Sequence, residues 1–199
     1  MKFNYDIFFK EYRINFGAIK ALQTVTNIKL IIEANEIYEV SLNQLAYIMA
    51  TAYHESGHDF FPRYEYGNMQ YFVRKYWINK VVAKWLGNDD AADAFKYRGR
   101  GLVQITGEDN YTKFGIADNP DKALEIATAI DILFKGMLNG IFSGKKLVRY
   151  VTSNSYDFVG ARYVVNGKDK AQLIASYAEK FRLILIKSWV GAVGSSPGS

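Results

Sequence analysis

Residues Ser41–Gly67 read SLNQLAYIMATAYHESGHDFFPRYEYG, and the rest of the chain is arranged around them. From Val40 to Tyr53 there is no charged residue, and Ser41 is a good N-cap for a helix. Leu42, Leu45, Ala46, Met49, Ala52 and Tyr53 recur at helical spacing and form one continuous face. At about 100° per residue, Glu55 falls off that face, grouped with Ile48 and Thr51. A helix this apolar is expected at the centre of a domain. A carboxylate at its C-terminal end is then held where the core meets the surface. Pro62 and Gly67 mark the following segment as a loop, and it delivers a second carboxylate, Glu65.

Outward from this centre the pattern is mainly helical. Helices are expected over 4–14, 18–34, 69–86, 89–95, 108–114, from Pro120 to about 138, 145–150, from Asn154 or Ser155 to Asn166, and 170–189. Asn119-Pro120 supplies a helix start, and Gly87, Gly140 and Gly167 supply stops. Between Gly99 and Gly107 the pattern changes: two glycines flank Arg100, and Leu102, Val103 and Ile105 suggest a short extended segment. There is no internal repeat and no linker. One catalytic domain over 1–190 with a flexible tail over 191–199 is the economical division, and a chain of 199 residues suffices for one core.

Composition removes several classes. Without cysteine there is no disulfide, thiolate nucleophile or Cys-rich metal site. The formal charge of +5 is scattered, with no basic helix or aromatic–basic ladder, so attraction to an anionic surface is expected rather than nucleic-acid recognition. Asp6, Lys10, Glu11 and Arg13 interrupt the apolar start, which is unlike a secretory signal. Synthesis in a cytosol, with no membrane insertion, is the expectation.

His54-Glu55-Ser56-Gly57-His58 spells H-E-x-x-H, a zinc-protease motif when it lies on a helix. A catalytic zinc needs a third protein ligand, and these are the only two histidines. The longer zinc-protease pattern requires Gly and His where Phe61 and Tyr64 stand. No metal is therefore expected, and the metalloprotease is a minor alternative.

Two carboxylates on either side of a cleft are the minimum for hydrolysing a glycosidic bond, one protonated and one ionised. Burial at the end of an apolar helix favours the protonated form of Glu55. Glu65, on a loop near Arg63, is expected to stay ionised in solvent.

Ala52-Tyr53-His54-Glu55-Ser56-Gly57 resembles the A-x-H-E-[ST]-G segment of glycoside hydrolase family 19, the chitinase-like family. Phe61 to Gly67 is similar to the P-x-x-E-Y-G loop of its phage endolysin branch. Tyr97-Arg98-Gly99-Arg100-Gly101-Leu102-Val103-Gln104-Ile105-Thr106-Gly107, with Asn110-Tyr111 and Phe114-Gly115, resembles the family's Y-x-G-R-G-x-x-Q-[LI]-[ST] signature. Arg162 with Val164-Val165-Asn166-Gly167 is similar to its later R-x-I-N-G element. The resemblance implies a mainly α, lysozyme-like or family 19 chitinase-like domain with a minor extended segment. It implies Glu55 as general acid, Glu65 as the base for an inverting attack by water, and Thr106 as a holder of that water. It further implies Tyr97, Gln104, Asn110 and Asn166 as substrate-binding residues, Tyr97 by lining the cleft, with His54 and Arg100 supporting the site.

The loop between the two acids is short, and Asp59 is a rival second carboxylate. The expected substrate is peptidoglycan, with chitin oligomers as the alternative and a non-catalytic wall-binding module as another. A monomer without cofactor is expected, released to the wall by a separate pore-forming protein.

Overall fold

A computed structural model describes residues 1–191; apart from Gly191, the expected tail lies outside the described residues. The fold is mainly helical, lysozyme-like, with one two-stranded sheet. Its elements are α1 (Tyr5–Phe16), α2 (Leu22–Glu33), α3 (Asn35–Tyr38), α4 (Leu42–Glu55), β1 (Arg63–Tyr64), α5 (Met69–Val73), a π turn (Arg74–Ile78), α6 (Lys80–Leu86), α7 (Ala91–Lys96) and β2 (Arg100–Gly101). Then follow α8 (Glu108–Lys113), a 3-10 turn (Pro120–Leu124), α9 (Ile126–Asn139), 3-10 turns at Leu147–Arg149 and Gly160–Val164, and α10 (Ala171–Ser188). Among the described residues no helix is long and apolar enough to cross a membrane.

The central helix is α4. Ser41 and Gln44 form a reciprocal capping box at its start, worth about 1 kcal/mol. Every residue from Asn43 to Tyr53 is buried, so the apolar run is buried on all sides. The long α10 packs along it: Tyr53 meets Tyr177 edge-on at 5.0 Å, and Phe16 of α1 stacks on Phe181 at 4.6 Å. Ile132, Leu133, Phe134 and Met137 of α9 join the same core. A smaller apolar cluster, in which Phe72 packs against Tyr76 and Phe95, lies under α5 to α7.

Several stretches differ from the sequence expectation: the helix read over 18–34 starts only at Leu22, the one over 145–150 is a 3-10 turn at Leu147–Arg149, and four others depart further. The helix read over 69–86 is interrupted: Asn79 leaves helical geometry and caps α6 with its side chain. The helix read from Pro120 begins as a 3-10 turn and restarts after Glu125, whose backbone is extended. Between Asn154 and Asn166 only Gly160–Val164 is helical, as a 3-10 turn, because Val151 and Tyr156 pair in a β-bridge and Asp157 turns the chain by accepting from the Gly160 amide. The extended segment read at 102–105 lies earlier. Arg100–Gly101 pairs antiparallel with Arg63–Tyr64, and residues 102–104 form a tight turn that returns Ile105 to Arg100.

Candidate active site

That small sheet brings the site together. Pairing Arg63 with Gly101 and Tyr64 with Arg100 carries Glu65 to the glycine loop, where its amide donates to the Gly99 carbonyl at 2.7 Å. A cleft of about 450 Å³ opens between the main core and the α5–α7 region. Glu55, Glu65, Gln104, Thr106, Asn110 and Asn166 all line it.

Glu55 ends α4 with its side chain 18% exposed. It does not sit alone in apolar surroundings: Arg162, only 3% exposed, donates to its Oε1 at 2.7 Å. The guanidinium is itself fixed by donation from Nε to the Asp169 carbonyl at 3.0 Å. Among the described residues no protein group donates to Glu55 Oε2.

Glu65 is more enclosed than a loop position suggests, 16% exposed, and its partner is not Arg63. Lys75 donates to Oε1 at 2.6 Å and Tyr71 at 3.2 Å; Tyr76 donates to Oε2 at 2.7 Å and the Gly99 amide at 3.3 Å. Arg63 pairs instead with Asp59. Asp59 is absent from the cleft lining and borders a separate hollow with Tyr12, Phe16, Tyr53 and His58. The rival second carboxylate is thus engaged elsewhere.

The glycine loop positions the polar lining. Gln104 adopts φ +53° and donates to the Arg63 and Gly101 carbonyls at 3.0 and 3.2 Å, tying the two strands together. Thr106 Oγ1 donates to the Gln104 carbonyl at 2.9 Å, and Asn110 donates to the Thr106 carbonyl at 2.8 Å. The Thr106 proton is committed, which leaves its oxygen as an acceptor toward the cleft. Asn166 accepts from the Gly167 amide at 2.8 Å.

Tyr97 does not line the cleft. It is 2% exposed, packs on Tyr111 at 5.5 Å, and exchanges hydrogen bonds with Lys96 and Glu108. Its position just after α7 turns the ring into the core. Arg100 is buried in the loop's support, bonded to Asp121 and Tyr111 and to the Lys96 and Arg98 carbonyls.

The H-E-x-x-H spelling loses its geometry. α4 ends at Glu55, and His58 has φ +79°, so the two imidazoles share no helix face. His58 stacks on Tyr53 at 4.5 Å. His54 Nδ1 is buried without a partner, and burial pushes its pKa below the usual histidine value. Among the described residues no group of three or more His, Cys, Asp or Glu side chains is placed to hold a metal ion.

The cleft lining also includes residues that the sequence reading did not name as site residues, among them Lys75, Tyr76, Trp85 and Phe142. Trp85 borders the cleft and is 71% exposed. Residues 69–86 carry Tyr71, Phe72, Tyr76, Trp77 and Trp85, and only the folded path of α5 to α6 directs some of them to the cleft.

The class defined so far is a mainly α, lysozyme-like fold whose cleft carries two charge-paired carboxylates and a polar glycine loop. Within the chain, 38 residues are 58% identical to a "Glycosyl hydrolase family 19 domain-containing protein" of Haemophilus influenzae. That likeness, to a glycoside hydrolase, covers 18% of this chain and only about a fifth (19%) of the relative's length. No family model matches the chain. No solved structure matches it.

Proposed function

We propose that the chain is an endolysin-type glycoside hydrolase that cleaves β-1,4 bonds between N-acetylated amino sugars of peptidoglycan. The observation that carries this reading is that Glu55 and Glu65, from separate elements, line one cleft together with Thr106, Gln104, Asn110 and Asn166.

Glu55, paired with Arg162 through Oε1, serves as the general acid by carrying a proton taken from solvent on Oε2, the oxygen Arg162 does not occupy. Its proton passes to the glycosidic oxygen as the bond to the anomeric carbon breaks. Water attacks that carbon from the opposite face, giving inversion, and yields its proton to Glu65. Thr106 Oγ1, able only to accept, takes a hydrogen bond from the water's second hydrogen and leaves an oxygen lone pair aimed at the carbon. Asn110, Asn166 and Gln104 supply donors and acceptors for hydroxyl and acetamido groups.

Peptidoglycan is preferred over chitin oligomers because the chain's net positive charge suits an anionic wall. A separate pore-forming protein would give a cytosolically made enzyme access to that wall.

The test is wall-fragment release by Glu55→Gln, which keeps an oxygen for Arg162 but has no proton to give. Turnover should fall at least ~100-fold with the circular dichroism spectrum retained. A fully active variant would sink the mechanism. Mass spectrometry of the released fragments assigns the bond cut, and reducing rather than anhydro ends mark hydrolysis rather than transglycosylation.

A further inference from the structure

Glu65 has about four lone-pair positions, and four donors fill them: Lys75, Tyr71, Tyr76 and the Gly99 amide. Three of those donors come from one short stretch. Tyr71 and Lys75 are four apart and share a helix face. Tyr76, the next residue, would lie about 100° round a regular α-helix. The π turn at Arg74–Ile78 packs more residues into one turn and draws Tyr76 toward that same face. Lys75 also lies close to both rings, its Nζ 5.5 Å from the Tyr71 centroid and 4.9 Å from that of Tyr76. A solvated surface lysine has no use for this arrangement: the ammonium is built into the wall of the cleft.

We propose that Lys75 is the positioning residue of the catalytic base, holding the Glu65 carboxylate aimed into the cleft. This rests on the reading of Glu65 as the base. The two short bonds, from Lys75 and Tyr76, fix the carboxylate. The two long ones, from the Tyr71 hydroxyl and the Gly99 amide, are the ones that yield when the base takes a proton. The charged groups around Glu65 support a single dominant cation. Arg63 is paired with Asp59 and Glu55 with Arg162; in the glycine loop Arg100 is paired with Asp121, Arg98 donates to the Phe95 carbonyl and packs over Tyr64 and Phe95, and the Gly99 amide is the loop's group bonded to Glu65. Tyr71 and Tyr76 complete the set from the α5–π stretch, and burial pushes the Tyr76 phenol well above its usual value, so it stays a neutral donor.

The experiment is the steady-state kcat and KM of wild type, Lys75→Met, Lys75→Arg and Tyr71→Phe on peptidoglycan. Lys75→Met removes the shortest hydrogen bond to Glu65, so kcat should fall at least ~10-fold while KM changes less. Lys75→Arg, which restores a cationic donor, should recover most of kcat, and Tyr71→Phe, which removes only a long bond, should lose less than Lys75→Met. Lys75 is 44% exposed, so the variants are expected to fold, with thermal melting as the check. An unchanged kcat in Lys75→Met, or a rise in KM alone, would overturn the proposal by making Lys75 a bystander or a substrate contact. Glu65→Gln separates the two ideas: if it stays active, the base assignment itself has failed.

Discussion

At the scale of single residues, the chemistry turns on who touches each carboxylate. Arg162 is nearly sealed from solvent, and among the described residues its only carboxylate partner is Glu55. Removing either member leaves the other's charge or hydrogen-bonding groups without compensation in a poorly solvated place. Arg162→Met should therefore lower stability by about 3 kcal/mol in urea unfolding and also abolish turnover, because Glu55 is no longer held. Glu55→Gln keeps an acceptor for the Arg162 hydrogen bond but not its counter-charge, so it should lose activity while staying folded, at a smaller cost in stability than Arg162→Met. In the proposed mechanism Thr106 shares its task with Glu65, both taking a hydrogen from the same water. Thr106→Ala should reduce kcat by roughly 10-fold, a milder loss than at Glu55, in steady-state assays. Of the residues expected to line the cleft, Glu55, Glu65, Thr106, Gln104, Asn110 and Asn166 meet there, whereas Tyr97 is turned inward. Residue identity signalled the first set through spacing and resemblance. It could not signal the fate of Tyr97, since an aromatic in a core and one on a sugar look alike in a sequence.

At the scale of elements, the two-residue strands do more than their length suggests. β1 and β2 clip the Glu65 loop to the glycine loop, and Gly99 sits at the junction. A Cβ built on Gly99 would lie 2.9 Å from Gln104 Oε1 and 3.0 Å from Glu65 Oε2. The smallest side chain there pushes on two residues of the cleft at once. Gly99→Ala should thus lower activity by roughly 10-fold or more while costing only about 1–3 kcal/mol of stability, measured by paired kinetics and thermal unfolding. The glycine's presence was legible in the sequence. That its neighbour would be Glu65, thirty-four residues back in the chain, was not. The π turn was equally hidden, because its residues carry an ordinary helical pattern and widen only in the context of the packed α5–α7 region.

At the scale of the whole molecule, charge governs approach rather than chemistry. The formal charge of +5 is spread over the chain, and an anionic wall would attract it at a distance set by salt. Raising ionic strength from about 0.05 to 0.5 M should depress lysis of outer-membrane-stripped cells several-fold. Cleavage of a short uncharged oligosaccharide should change little over the same range. Turbidity loss and product chromatography, run side by side, check this. Equal salt sensitivity on both substrates would mean that the salt acts on the cleft rather than on approach.

By itself the sequence determined the mainly helical fold, the buried α4 and the carboxylate at its end. These follow from local signals: an uncharged apolar run, a capping box and a helical period are written within a dozen residues. It also marked the glycine loop, because glycine spacing is local too. Only the tertiary structure decided which groups meet. Arg162 reaches Glu55 across 107 positions of chain, and Lys75 displaces Arg63 as the partner of Glu65. Such pairings depend on how helices and loops pack, and no periodicity records them. For the same reason, His54 and His58 spell a metal motif that the end of α4 takes apart.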